Sequence, residues 1–157
     1  MTLPQDQVIE AQVDAAIRDG HPLPRWGWKV PRSYNGFTGH ERISGWQRVV
    51  IARRLGFLAN DAPCGVCGAP NAPQRHGEIY ARPLTPQPIC RSCHYHVHRR
   101  FREPDQWLER IASLPAAKWV HALSLVELTR PEATKIAEAF DVFVALAERN
   151  QSRAVNV

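Results

Sequence analysis

The sequence predicts a mainly α-helical fold with one small ββα module at its centre. Apolar side chains repeat at helical spacing both before and after the middle of the chain. In the middle, two CxxC pairs, Cys64 with Cys67 and Cys90 with Cys93, enclose a proline-rich segment that a long helix cannot cross. We therefore expect a two-strand hairpin between the pairs, a helix after the second pair, and further helices on either side.

Each helix has its own local signals. The first is amphipathic and is ended by Gly20, and the last begins with Pro131 in its first turn. In the centre, RHGEIY and PQPIC are expected to form the two strands, and a helix starts at about Ser92. The other helices are predicted over residues 5–18, 41–58, 105–114, 116–128 and 131–149.

The chain divides into four expected parts by composition and charge. Residues 1–60 hold a helix, an aromatic and basic loop and a basic helix, and residues 61–103 hold the ββα module. Residues 104–150 form a helical segment, and 151–157 are a tail that is expected to fray. We expect the C-terminal helices to supply core and to offer a surface for a protein partner or a homodimer.

The net charge of +5 lies in the middle of the chain. Residues 21–60 carry +6 and residues 61–103 carry +3, while both ends are mildly acidic. Seventeen of the twenty basic residues are arginine, whose planar guanidinium suits phosphate. This distribution favours a polyanionic partner, with nucleic acid, and double-stranded DNA in particular, as the expected one.

The cysteines predict a structural zinc site. All four cysteines of the chain belong to the two CxxC pairs, and zinc is bound tetrahedrally by four thiolates in such an arrangement. The chain has neither a long apolar run nor a hydrophobic signal core, so we expect a cytoplasmic protein and no membrane partner. In a reducing compartment, metal is the usual role of this pattern, and disulfides are the alternative.

Three histidines predict a second metal site. His94 and His98 are four residues apart on the expected helix and therefore lie on one face of it, and His76 ends the first strand. Together they offer three imidazoles to one divalent ion: Mg²⁺, Mn²⁺, Ni²⁺ or Zn²⁺. The alternative is that they are surface histidines on a basic helix.

Two further features have alternative interpretations. Trp26, Trp28 and Tyr34 alternate with basic residues in the loop, so they either stack on bases or pack onto a neighbouring core. The helix at 41–58 carries Arg42 and Arg53 on one face, which is either a solvated face or a phosphate-binding one.

The central segment also resembles a known family. The pattern CxxC, then H-x-E-x-Y-x-x-P-L, then CxxCH-x-x-x-H resembles compact HNH proteins of the ββα-metal, or treble-clef, type, which are common in phages and mobile elements. The resemblance covers residues 61–102. It implies a zinc-bound DNA endonuclease-like module.

The resemblance also implies roles for single residues. His76, His94 and His98 match the metal ligands of the family, whereas Gly77 stands at the position of the histidine that activates water. Since the loop also lacks the usual asparagine, the motif is incomplete. Glu78, Tyr80 or His96 would have to take the proton instead, and the expected catalytic residues are His76, His94, His98 and Glu78.

These observations lead to three functional hypotheses. The first is a nucleic-acid-binding protein with weak or lost phosphodiesterase activity. The second is an active metal-dependent endonuclease or nickase, in which Arg91 or Arg99 holds the scissile phosphate. The third is a zinc-stabilised adaptor or regulator. The arginines expected to contact nucleic acid are Arg42, Arg48, Arg53, Arg75, Arg82, Arg91, Arg99, Arg100 and Arg102.

Overall fold

The fold is mainly helical, with one antiparallel hairpin next to the four cysteines, as predicted. A computed structural model of the chain describes residues 2–155. Within that range the elements are α1 (Gln5–Arg18), α2 (Gly39–Arg54), β1 (Gln74–His76), β2 (Gln87–Ile89), α3 (Arg91–Arg99), α4 (Pro104–Ala112), α5 (Lys118–His121), α6 (Arg130–Ala137) and α7 (Val142–Val155). No helix in this range is long and apolar enough to cross a lipid bilayer.

Local chemistry sets the ends of α2. The side chain of Thr38 accepts from the backbone N–H of Glu41, and the Glu41 carboxylate accepts from the backbone N–H of Thr38. This capping box starts the helix at Gly39, earlier than the apolar pattern indicates. Gly56 has a φ of 79°, and the following amide of Phe57 bonds back to the carbonyl of Ala52. The left-handed glycine therefore ends the helix before residue 58, where we had expected its end.

The C-terminal helices are shorter than predicted. The helix expected at 116–128 is only α5, because the carbonyl of Ser124 accepts from the buried guanidinium of Arg100 instead of from a helical amide. The helix expected at 131–149 is split into α6 and α7, and the Asp141 carboxylate accepts from the first amides of α7. That helix continues to Val155, so the prediction of a frayed tail after Asn150 is wrong up to that residue.

Three apolar clusters hold these elements together. One packs α3, α4 and α5 around the cysteines, the second joins the hairpin loop to α6 and α7, and the third joins α1 to α2. The hairpin pairs Gln74 with Ile89 and His76 with Gln87, so it brings the two cysteine pairs to one end and His76 to the other. The hairpin and α3 are thus enclosed by helices from both halves of the chain.

Candidate metal centre and nucleic-acid interface

The four cysteines form one compact cluster. Their sulfurs lie within 4.8 Å of one another, and the sulfurs of Cys67 and Cys90 are 3.9 Å apart. Tetrahedral zinc with bonds of 2.3 Å places its sulfurs about 3.8 Å apart. All four cysteines are free of disulfides. The site therefore suits structural Zn²⁺, and the disulfide alternative does not describe this chain.

Backbone amides donate to two of these sulfurs, those of Cys64 and Cys90, whereas burial raises the pKa of the Cys93 thiol to about 12. Cys90 precedes α3, and its sulfur accepts from the backbone N–H of Cys93 at 3.5 Å. Although burial raises it, hydrogen bonds from backbone amides lower the pKa of the Cys64 thiol to about 7. The ring of Trp119 lies so close to Gly65 that a Cβ there would collide with it. A glycine in the first pair thus lets α5 close over the cluster.

The second candidate site is the imidazole triad, formed by His76, His94 and His98. His76 Nδ1 lies 3.4 Å from His94 Nε2, and His98 Nε2 lies 3.0 Å from the same atom. Nitrogen ligands of a tetrahedral ion with bonds near 2.05 Å are about 3.3 Å apart. The prediction that β1 and α3 bring these three imidazoles together is thus confirmed, and their spacing could hold a second metal.

Hydrogen bonds on the far side of two of the rings, His76 and His94, fix the atoms that face the centre. His76 Nε2 lies 2.7 Å from a carboxylate oxygen of Glu78, and His94 Nδ1 lies 2.8 Å from Gln74 Oε1. Both partners accept, so these two nitrogens donate, and Nε2 of His94 faces the other two rings as a lone pair. This lone pair can accept from a neighbouring imidazole or bind a cation. Protein-bound metals commonly have this support behind their histidines.

Two of the three imidazoles, His94 and His98, stay neutral over the physiological pH range. Burial, followed by the positive groups nearby, lowers the pKa of His94 to about 3 and that of His98 to about 2. Neutral imidazole is the form that binds metal, so no proton has to be displaced from these two rings at neutral pH.

Glu78 contacts the side of His76 that points away from the other two imidazoles. Its side chain is 1% exposed and accepts from Tyr34, Asn35, His76 and Arg100. Although burial raises it, Arg100 and His76 hold the pKa of this carboxyl well below its usual range. We had expected Glu78 to be catalytic. The structure instead places it where it orients His76 and has no free edge for a substrate.

Sequence spacing did not reveal two partners of Glu78. Tyr34 is buried, and its hydroxyl donates to the Glu78 carboxylate at 2.7 Å. Asn35 has a φ of 51°. Its side-chain N–H₂ donates to Glu78, and its side-chain oxygen Oδ1 accepts from the backbone N–H of Leu128 at 3.0 Å. The contact of Asn35 with Glu78 spans 43 residues of the sequence and its contact with Leu128 spans 93, so no local motif could predict them.

Two depressions lie beside the triad, and its third member, His76, is buried and lines neither of them. The inner cleft, of about 320 Å³, lies between α2, the aromatic loop and β1, and the outer groove, of about 430 Å³, lies along α3. His94 and His98 line both of them. Arg42, Arg53 and Arg75 line the inner cleft, and Arg91, Arg99 and Arg102 line the outer groove. Six of the nine arginines predicted to contact nucleic acid thus flank the triad.

The other three arginines are placed differently. Arg100 is fully buried against Glu78, and Arg82 is 6% exposed and pairs with Asp6. Arg48 forms ion pairs with two acidic residues of α1. These three guanidiniums bind carboxylates within the fold, and they line neither depression.

The resemblance leaves three side chains that could take the proton, Glu78, Tyr80 and His96, and only one of them lines the inner cleft. Tyr80 does so, and its hydroxyl accepts from Nε of Arg42 at 3.3 Å. Glu78 is enclosed behind His76, and His96 is absent from both linings. Gly77, where the resemblance to HNH proteins leads us to expect a histidine, also lines the inner cleft.

No protein family, curated protein or solved structure is found to match this chain. Its function therefore has to be argued from the two metal-binding clusters and the arginines around them.

We expect the protein to bind two divalent ions per chain. In titrations with Co²⁺, the His94→Ala variant should lose one equivalent and keep the sulfur-to-metal absorption of the thiolate site, because the two sites share no ligand. The His96→Ala variant is the matched control, since it removes an imidazole of α3 that is outside the triad. A single equivalent in the wild type, unchanged by His94→Ala, would contradict the second site.

Proposed function

We propose that this protein is a zinc-stabilised DNA-binding protein that grips phosphates with the arginines around the imidazole triad. The observation that carries the proposal is the charge of the two openings. Among the described residues that line them, six are arginines and none is acidic. A phosphate backbone that neutralises such a surface releases counterions, which favours binding. The resemblance of residues 61–102 to HNH proteins supports the same class of partner.

The arginines of the outer groove are the most accessible to DNA. Arg91 and Arg102 are exposed, whereas Arg99 also pairs with Glu103 at 2.5 Å. In the inner cleft, Arg75 donates to backbone carbonyls of residues 59, 60, 72 and 74, which holds its guanidinium in place. The outer groove therefore suits the duplex backbone, while the inner cleft offers guanidiniums that are already oriented.

Salt dependence of binding tests this proposal. Replacing Arg91 and Arg102 together with glutamine should reduce the slope of log K against log salt by about 2, as expected for two lost phosphate contacts. The control removes the same charge at Arg18 and Arg54, which line neither opening. Binding to labelled duplex is measured by fluorescence anisotropy over a salt series. A flat salt response of the wild type would contradict the proposal and favour the adaptor hypothesis.

The triad favours a second candidate function, metal-dependent phosphodiester cleavage. His94 and His98 line both arginine-lined depressions, so a divalent ion bound by the triad would polarise a phosphate held there. Arg42 would neutralise charge on that phosphate, and Glu78 would keep His76 in its ligating orientation. Without a general base at Gly77, we propose that cleavage is slow.

The role of the C-terminal helices in binding a partner stays a prediction. Phe140 is 69% exposed and Val144 is 48% exposed on that side of the molecule. These side chains fit a protein contact and do not bear on the arginine-lined openings.

A further inference from the structure

Trp28 is an exposed indole on the wall of the inner cleft. Its side chain is 70% exposed, although tryptophan is usually well buried in a folded protein. It lines the same cleft as His94 and His98. A ligand in this cleft can therefore reach the indole and the imidazole triad at the same time.

The structure holds this indole in a fixed place. Trp26 makes edge contacts with Trp28 on one side and Trp46 of α2 on the other, with ring centroids 4.9 and 5.1 Å apart. The indole N–H of Trp26 also donates to the carbonyl of Lys29 at 3.0 Å, which closes the loop around Trp28. A surface aromatic that is ordered in advance loses little conformational entropy when it binds a flat ligand. Tyr34, by contrast, is buried, so the aromatic residues of the loop divide between core and surface.

The charge of the cleft selects the kind of flat ligand. Arg42, Arg53 and Arg75 line it, so an organic cation, the other usual partner of clustered tryptophans, would be repelled. A nucleobase with its phosphate satisfies both features, because the base stacks on the indole and the phosphate pairs with arginine. The volume of about 320 Å³ is at the low end for a small-ligand site and suits one nucleotide.

We propose that Trp28 stacks on an unpaired base, so that the preferred DNA has a flap, a gap or a single-stranded end next to the duplex. This inference rests on the proposed DNA-binding function and names its substrate. In a paired and stacked duplex, both faces of each base are covered, and only a base that has left the stack reaches an indole. The arginines of the outer groove hold the adjoining duplex, and Trp28 holds the unpaired nucleotide at the triad.

A substitution at Trp28 separates base stacking from phosphate binding. The Trp28→Ala variant should bind a flapped duplex about 5- to 100-fold more weakly than the wild type, as expected for one lost base–aromatic stack. Its affinity for the blunt duplex of the same sequence should stay within about 2-fold, because those contacts are to phosphate. Trp28→Phe keeps a stacking face and should retain most of the preference. Val30→Ala is the control, since Val30 is exposed in the same loop but does not line the cleft.

A fluorescent base gives a second readout that needs no variant. Aminopurine at the unpaired position should be quenched when the wild-type protein binds, and the same label inside the duplex should not change. Equal affinity of the wild type for flapped and blunt duplex, or an equal loss on both in Trp28→Ala, would overturn this inference and leave DNA binding intact. If the wild type binds neither DNA, the proposed function fails as well.

Discussion

Replacing Cys90 with serine is expected to unfold the centre of the molecule. A structural zinc in a four-cysteine site supplies on the order of 10 kcal/mol of folding free energy, which is comparable to the whole stability of a typical domain. The largest apolar cluster packs α3, α4 and α5 around the cysteines, so it has no support once the metal is lost. Cys90 also caps α3 with its sulfur.

Circular dichroism and zinc analysis of purified protein measure this effect. Cys90→Ser should lose bound zinc and most of its cooperative thermal transition, and a chelator should do the same to the wild type. His96→Ser is the control on the same helix, because His96 belongs to neither metal cluster. A Cys90→Ser protein that is folded and still binds DNA would contradict the central role of the zinc.

Introducing histidine at Gly77 is expected to raise DNA cleavage by about 10²- to 10⁴-fold, the usual contribution of a general base. Gly77 lines the inner cleft, and the three atoms nearest to a Cβ there all belong to the side chain of Tyr80, at 3.5 Å or more. The backbone therefore accepts a side chain at the position where the sequence resemblance expects the base. The measurement is plasmid nicking with Mn²⁺ or Ni²⁺.

Two controls show whether the gain comes from base catalysis. Gly77→Gln adds bulk of similar size without a group that titrates near neutral pH, and it should leave the rate unchanged. Combining Gly77→His with His94→Ala should remove the gain, because the triad is then incomplete. If Gly77→His cleaves no faster than the wild type while the metal is bound, the cleavage hypothesis is wrong and DNA binding remains.

Local spacing made much of the site predictable from the sequence. The two CxxC pairs and the i, i+4 pair of His94 and His98 depend on backbone geometry within a few residues, and that geometry is the same in most proteins. The hairpin followed from the prolines that exclude a helix between the pairs. The triad then follows, because β1 ends at His76 directly beside α3.

The long-range polar contacts could not be predicted. Arg82 and Arg100 have the same composition signal as Arg91 and Arg102, but they are buried against Asp6 and Glu78. Arg82 pairs with Asp6, 76 residues away, and the sequence alone does not distinguish such an arginine from one that is free to bind phosphate. The break between α6 and α7 was missed because an apolar pattern continues through it.

Asn35 limits how this protein can be dissected or recombined. Its side chain is bonded at once to the hairpin loop through Glu78 and to the C-terminal half through Leu128. A chimaera that carries residues 61–103 alone lacks Asn35, so the backbone carbonyl and the carboxylate of Glu78 lose that donor. Residues 61–103 therefore cannot be transferred to another protein by themselves, and the flanking segments have to be transferred with them.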